Sequence, residues 1–463
     1  MKKFTKLLIC FMLCIVSFGL VACDNRTEKE KNFTYPSSAD VISSNGGLAV
    51  QKGNYVYFVN GYKSVKDITS KKDSYTVGAL MLMKLGDNGE VVTDDNGILK
   101  DEYYISMSNA LCGYEATNLY IHGEYLYFVS PCLENESGDK TWAKERVVFN
   151  RIKLDKTSKV EEVYSTGVKY DQLEYEYYEE NGNLYVLAWE KGDSYYNSNG
   201  NNSLIKINAT DKTSVKVANK VSSVVFAENS DEIFFVQDDS ENSRYYLKQY
   251  NIVSNEVTNY SSEEKTFTAK FVANGKVYIT MAHSVGSSTD IKVSTIANKS
   301  GFEMLHAYEG SADLSITPDG TAVVLVEENV ITLVDNNKKV ITINDADDVT
   351  AIDIIGYING CIVYYDTTEE NSNIKMVSYY NHINGGDTEI KTLATMDTFE
   401  EDYAYFDLSD DNAYMYFYKM EGSNYYLNRI KINNNLGETE EMFGVYLTEN
   451  APVVEETEEE VEE

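Results

Sequence analysis

Along most of the chain, apolar and polar positions alternate in short runs with a period of two residues, the spacing of a half-buried strand and not the 3.6-residue period of an amphipathic helix. Eight runs share an apolar, mostly tyrosine- or valine-rich core: YVYF from Tyr55, YLYF from Tyr125, LYVL from Leu184, IFFV from Ile233, VYIT from Val277, VVLV from Val323, IVYY from Ile362 and YMYF from Tyr414. They recur about every fifty residues, the spacing of a structural repeat. Within three positions before each core stands Gly53, Gly123, Gly182, Asp231, Gly275, Gly320, Gly360 or Asn412. These residue types tolerate the backbone angles of a tight reversal.

A second alternating run follows each core after a loop of variable length: LMLMKL from Leu80, NRIKL from Asn150, LIKI from Leu204, YLKQY from Tyr246, IKVSTI from Ile291, VITLV from Val330, IKMVSY from Ile374 and NRIKI from Asn428. Turn-type clusters such as Asp155-Lys156-Thr157-Ser158 and Asp211-Lys212-Thr213-Ser214 then lead to a further strand. Each unit therefore supplies three or four antiparallel strands. Sheets of this kind, set radially, bury both faces against their neighbours and leave only short edges exposed. The expectation is an all-β protein, a β-propeller over residues 46–448 with eight blades, or seven. An open stack of sheets and two tandem sandwiches are the competing arrangements.

Composition supports strands and narrows the partners. The 463 residues include 38 Tyr against 4 Pro and 2 Trp, a bias toward strand-compatible side chains. Against 74 acidic residues stand only 40 basic ones, and the formal charge of -34 repels nucleic-acid backbones, so no nucleic-acid partner is expected. The ends look different from the middle. Residues 24–45 are polar without apolar periodicity, which reads as a flexible tether. Residues 449–463 carry Glu455, Glu456, Glu458, Glu459, Glu460, Glu462 and Glu463 and read as a solvated, disordered acidic tail.

The first residues carry an address. Lys2, Lys3 and Lys6 precede an apolar run from Leu7 to Ala22, the charge order of an export signal. Sixteen residues are too few to span a bilayer comfortably as a helix, which takes about 20. The run ends Leu20-Val21-Ala22-Cys23, which resembles the bacterial lipobox. That resemblance implies removal of residues 1–22, a diacylglycerol on the thiol of Cys23, and a lipidated N-terminus spanning residues 23–45. Each buried methylene contributes about 0.8 kcal/mol, so multiple acyl chains hold a protein on a membrane without a spanning helix. The expected location is the extracytoplasmic side of the cell membrane. With Cys10, Cys14 and Cys23 assigned to the signal and the lipid, Cys112, Cys132 and Cys361 remain. A Cys112–Cys132 bridge and buried free thiols are both open readings in an exported protein.

Ser315-Ile316-Thr317-Pro318-Asp319-Gly320-Thr321, followed by Val323 to Val326, resembles the turn signature of TolB-like propeller repeats. The stretches from Leu408 to Asn412 and from Ala227 to Glu232 are similar to degenerate copies. The YVYF-type cores with NRIK-type strands also resemble the tyrosine-rich propellers of Firmicute lipoproteins, a family known mainly by a domain of unknown function. The resemblance implies a surface-attached propeller and no particular reaction. Serial Trp-Asp dipeptides, paired glycines repeated as in kelch blades and the repeated box of sialidase propellers are absent from the sequence.

Motifs for chemistry are sparse. His122, His283, His306 and His382 are far apart and form no short metal-ligand motif. The sequence has no GxSxG elbow, P-loop or GxGxxG cradle. No cofactor, metal or catalytic residue is assigned. Acidic groups at Asp94 and Asp95, at Asp345, Asp347 and Asp348, and at Asp410 and Asp411 read as solvated turns. In LEYEYYEE, alternation sets Glu174 and Glu176 on one face and Tyr175 and Tyr177 on the other. If that strand lines a central channel, the two carboxylates meet a cation, sugar hydroxyls or a basic peptide. Tyr195 and Tyr196, in GDSYYNSNGNN, are candidates to stack on a glycan or protein. The functional expectation is a monomeric, non-enzymatic binding or scaffold lipoprotein for a protein, peptide or envelope glycan. A propeller-fold polysaccharide hydrolase or lyase using acids from several blades is the alternative. A transporter's solute-binding component fits less well, since that class alternates helices with strands.

Overall fold

The computed structural model describes residues 34–444 except for single positions and short segments, chiefly 67–72, 90–101, 113–117, 132–146, 155–159, 169–171, 193–201, 345–347, 398–405, 410–413 and 433–438. Two compact units are distinguished, Met1–Tyr35 and Pro36–Glu463, and everything below concerns the second. Among the described residues its strands form seven sheets, each a blade of a β-propeller.

Six blades have four antiparallel strands in sequential order. Blade 2 is β6 (Tyr120–His122), β7 (Tyr125–Pro131), β8 (Val147–Lys153) and β9 (Glu161–Ser165). Blade 3 is β10 (Leu173–Glu180), β11 (Asn183–Glu190), β12 (Ser203–Asn208) and β13 (Thr213–Asn219). Blade 4 comprises β14 (Val221–Val225), β15 (Ile233–Asp239), β16 (Arg244–Tyr250) and β17 (Val257–Glu263). Blade 5 comprises β18 (Phe267–Ala273), β19 (Lys276–Ala282), β20 (Thr289–Thr295) and β21 (Glu303–Tyr308). Blade 6 follows with β22 (Asp313–Ile316), β23 (Ala322–Glu327), β24 (Val330–Asp335) and β25 (Val340–Asn344). Blade 7 has β26 (Val349–Ile358), β27 (Cys361–Thr368), β28 (Asn371–Ser378) and β29 (Lys391–Asp397), with the six-residue helix α1 (Tyr379–Asn384) between its last two strands.

Blade 1 has nine strands and corrects the expected count of eight. Its leading half is β1 (Ile42–Ser44), β2 (Ala49–Lys52), β3 (Tyr55–Lys66), β4 (Asp73–Lys84) and β5 (Glu102–Cys112). Its trailing half is β30 (Phe406–Leu408), β31 (Tyr414–Glu421), β32 (Asn424–Ile432) and β33 (Thr439–Gly444). The YVYF and YMYF repeats therefore belong to one sheet. The physical reason is length: β3 runs on for 12 residues, and Tyr62 pairs with Tyr425 of β32, so the first and last repeats join edge to edge. Ile42–Ser44, within the stretch read as tether, forms β1 and pairs with β2.

Every repeated core forms the second strand of its unit and every following run the third. Second strands are packed on both sides by neighbouring blades, which is why IFFV, VVLV and IVYY read as continuous apolar runs without alternation. Phe234 and Phe235 show the consequence of the two-residue period: Phe235 packs toward blade 3 with Trp189 and Leu204, and Phe234 toward blade 5 with Ile279. First strands of consecutive blades approach one another, β14 with β18, β18 with β22 and β26 with β30. Fourth strands form the rim, and Val215 on β13 is exposed.

The Ser315–Thr321 signature earns its residues in the turn between β22 and β23. The Thr317 hydroxyl accepts from the amides of Thr321 and Ala322, both at 3.1 Å. Asp319 accepts from the Thr321 amide at 3.1 Å and from its hydroxyl at 2.7 Å. Burial pushes the Asp319 carboxyl up, but these bonds hold it below its ordinary range. Gly320 takes φ +64, and a Cβ there would lie 2.8 Å from the Cβ of Asn274 on blade 5. Ser409 repeats the device, its hydroxyl accepting from the Tyr414 amide at 2.9 Å.

Candidate functional site

Antiparallel pairing puts the start of each first strand, the end of the second and the start of the third at one end of their blade. On blade 3 that end holds Glu174, opposite Trp189, and Lys191 just beyond β11. The Lys191 ammonium pairs with the Glu174 carboxylate and stands 5.0 Å over the Trp189 ring. Glu176, two residues on, accepts from the Tyr177 amide at 3.0 Å.

Glu174 and Glu176 are half-buried, and Tyr175 and Tyr177 are buried between blades 2 and 3. Tyr177 stacks on Tyr120 at 4.7 Å, and Tyr175 meets Phe149 edge-on at 4.9 Å. Tyr178 packs on the other side, among the residues shared with blade 4. Burial raises the Tyr175, Tyr177 and Tyr178 phenols well above their usual range, and the charge of Glu176 adds to each. These tyrosines are packing groups held neutral at physiological pH. Of the other expected site residues, Cys23, Tyr195, Tyr196 and Cys132 lie outside the described residues, as do the side chain of Cys112 and the acidic tail. Cys361 is a buried free thiol.

The same end of other blades carries charged groups that the sequence reading missed. On blade 5, Asp290 is buried and paired with His283, and Lys292 lies 3.6 Å from its other oxygen. On blade 7, fully buried Asp366 pairs with Lys375 and accepts from Asn373 at 2.8 Å. On blade 3, buried Glu190 accepts from the Tyr164 hydroxyl of blade 2 at 3.3 Å. A carboxylate this well buried persists only when paired or hydrogen-bonded. The available signal was an acid continuing an apolar run, as in IVYYD, where a strand buried on both faces carries the acid inside with it.

Two first strands bring a different pair together. Asp313 opens β22 and Asp353 lies in β26. Burial raises the Asp353 carboxyl above its ordinary range, and the neighbouring Asp313 charge raises it further. Both side chains are nonetheless exposed, and Asp353 keeps its proton to higher pH than an ordinary carboxyl.

No family model matches the chain, and no curated protein matches it by sequence. Among solved structures it is similar to the β-propeller domain of the trilobed protease from Pyrococcus furiosus, at 14% identity and a TM-score of 0.46, over 72% of this chain and 96% of that one. It is also similar to oligogalacturonate lyase from Vibrio parahaemolyticus, at 10% identity and a TM-score of 0.39, over 58% and 84%. TolB from Acinetobacter baumannii is similar at 12% identity and a TM-score of 0.32, over 69% and 82%.

Proposed function

We propose that the chain is an extracytoplasmic lipoprotein, held on the cell membrane through Cys23, whose propeller is a non-enzymatic binding or scaffold module for a protein, peptide or envelope glycan. The observation that supports this reading best is the pairing of acids with resident basic side chains at one end of the blades, in Glu174 with Lys191 and Asp290 with His283 and Lys292. Such groups present fixed charge and hydrogen-bonding capacity, which suits recognition more than proton transfer. The lipid anchor rests on the Leu20-Val21-Ala22-Cys23 motif. Among the described residues no helix is long and apolar enough to cross a membrane.

Binding of labelled envelope glycans and peptides to the purified protein tests the module. Saturable binding that weakens in Glu174→Gln or Lys191→Met, with the ligand recovered intact, is the expected result. Labelled palmitate incorporated by the natural protein and lost in Cys23→Ala tests the anchor. The raised carboxyl of Asp353 on β26, with Asp313 at the start of β22 beside it, favours a second reading, a glycan-cleaving site in which Asp353 is the acid and Asp313 the second carboxyl group. Turnover of a polysaccharide, abolished by Asp353→Asn, would replace the binding module with that enzyme.

A further inference from the structure

The two NRIK segments put Arg151 on β8 and Arg429 on β32, third strands of their units. Arg151 stacks 4.3 Å over Tyr125 and reaches out of blade 2 to the turn that follows the third strand of blade 3. There its Nη1 donates to the carbonyls of Ala209 at 3.2 Å and Thr210 at 3.0 Å. Its Nε donates to Glu161 of its own blade at 3.0 Å. Lys206, on the third strand of blade 3, does the same with other chemistry. It stands 4.4 Å over Tyr185 and donates to Asn255, in the turn after the third strand of blade 4, at 2.9 Å. In both cases the acceptors outside the blade, Ala209 and Thr210 for Arg151 and Asn255 for Lys206, belong to the next unit along the chain.

Arg429 sits in the last of the described repeats. It is buried, lies 3.9 Å over Tyr414, and donates from Nη2 to the carbonyl of Gly89 at 2.7 Å. Gly89 lies in the turn after β4, which follows the YVYF strand β3 as the third strands of the other units follow their second. The unit that Arg429 treats as the next one is therefore the first.

We infer that Arg429 is the latch that closes the propeller ring, engaging the first repeat as Arg151 and Lys206 engage their successors. Both halves of blade 1 are built from contiguous sequence, so the chain itself does not tie the end of the ring to its beginning. Among the described residues the junction includes the Tyr62–Tyr425 strand pairing and this guanidinium. A planar cation held against an aromatic face loses little freedom when it bonds a carbonyl, which suits it to a fixed tie.

Backbone hydrogen exchange on the full-length protein tests the latch. In Arg429→Ala, amides of β3, β4, β31 and β32 exchange about tenfold faster or more, while those of blades 4 and 5 stay within about twofold of the natural protein. Arg151→Ala moves the acceleration to blades 2 and 3 and leaves the junction unchanged. Arg429→Lys gives an intermediate increase confined to the junction, and it decides the question if the alanine variant does not fold. Equal acceleration in every blade, or an unchanged junction in both Arg429 variants, would overturn the inference.

Discussion

Blades 3 to 6 and the junction inside blade 1 hold neighbouring repeats together in different ways. In the interior, separate sheets face one another and side chains from second and third strands fill the wedge, as Phe235, Trp189 and Leu204 do between blades 3 and 4. In blade 1, two repeats share a sheet through one long strand and a reaching arginine. Interior neighbours are consecutive in sequence, so the chain brings them close before they pack. The first and last described repeats are distant in sequence, so their pairing carries the loop-closure entropy of the chain between them. A ring of this kind needs a directional contact where connectivity supplies none.

The sharpest way to break the interior side of that contrast is to leave a buried charge alone. Asp366→Asn strands Lys375, which is 8% exposed, and the expected loss is about 3–5 kcal/mol in urea unfolding. The double variant Asp366→Leu with Lys375→Met restores most of it, because a well-packed apolar pair replaces a buried ion pair at little cost. Failure of the double variant to recover would mean that the network, including Asn373, does more than neutralise charge.

A smaller effect probes the close approach of turns on adjacent blades. Gly320→Ala combines a left-handed φ with a Cβ in collision with Asn274, and about 2 kcal/mol is expected. Gly182→Ala has a similar φ of +77 but nothing within 4 Å of the new carbon, so thermal unfolding should rank it clearly milder. Equal losses would assign the whole effect to backbone strain and none to the neighbouring blade.

The smallest effect is one of pH. The Asp319 carboxyl is held below its ordinary value of 3.8, so its stabilisation is complete above that pH and disappears as the pH falls through the lower folded-state value. Thermal unfolding of Asp319→Asn should therefore lose less stability than the natural protein on acidification below about 3.8 and differ in slope nowhere above it. An unchanged acid slope would show that the turn holds its shape through Thr317 alone.

Much of the architecture was legible in residue order. The two-residue period, the fifty-residue recurrence and the turn residues before each core located the second and third strands of all eight repeats, and Gly53, Gly123, Gly182, Gly275, Gly320 and Gly360 all take positive φ. The count of blades was not legible, because whether β3 stops or continues to meet β32 is a long-range pairing that a local pattern does not encode. In the candidate site, alternation assigned Glu174, Glu176, Tyr175 and Tyr177 to their faces, yet it could not show that Lys191 meets Glu174. It also passed over Asp290, Asp366 and Lys375, whose partners come from neighbouring strands or turns.

The NRIK repeat draws the line between the two kinds of information. Its recurrence beside YLYF and YMYF is a fact of one dimension, and it follows from the need to place an arginine across the strand from paired tyrosines. Where each guanidinium ends, on Ala209 and Thr210 or on Gly89, is decided in three dimensions. Local periodicity arises from backbone geometry within a few residues, whereas ring closure depends on which surfaces are left facing one another once all the blades have packed.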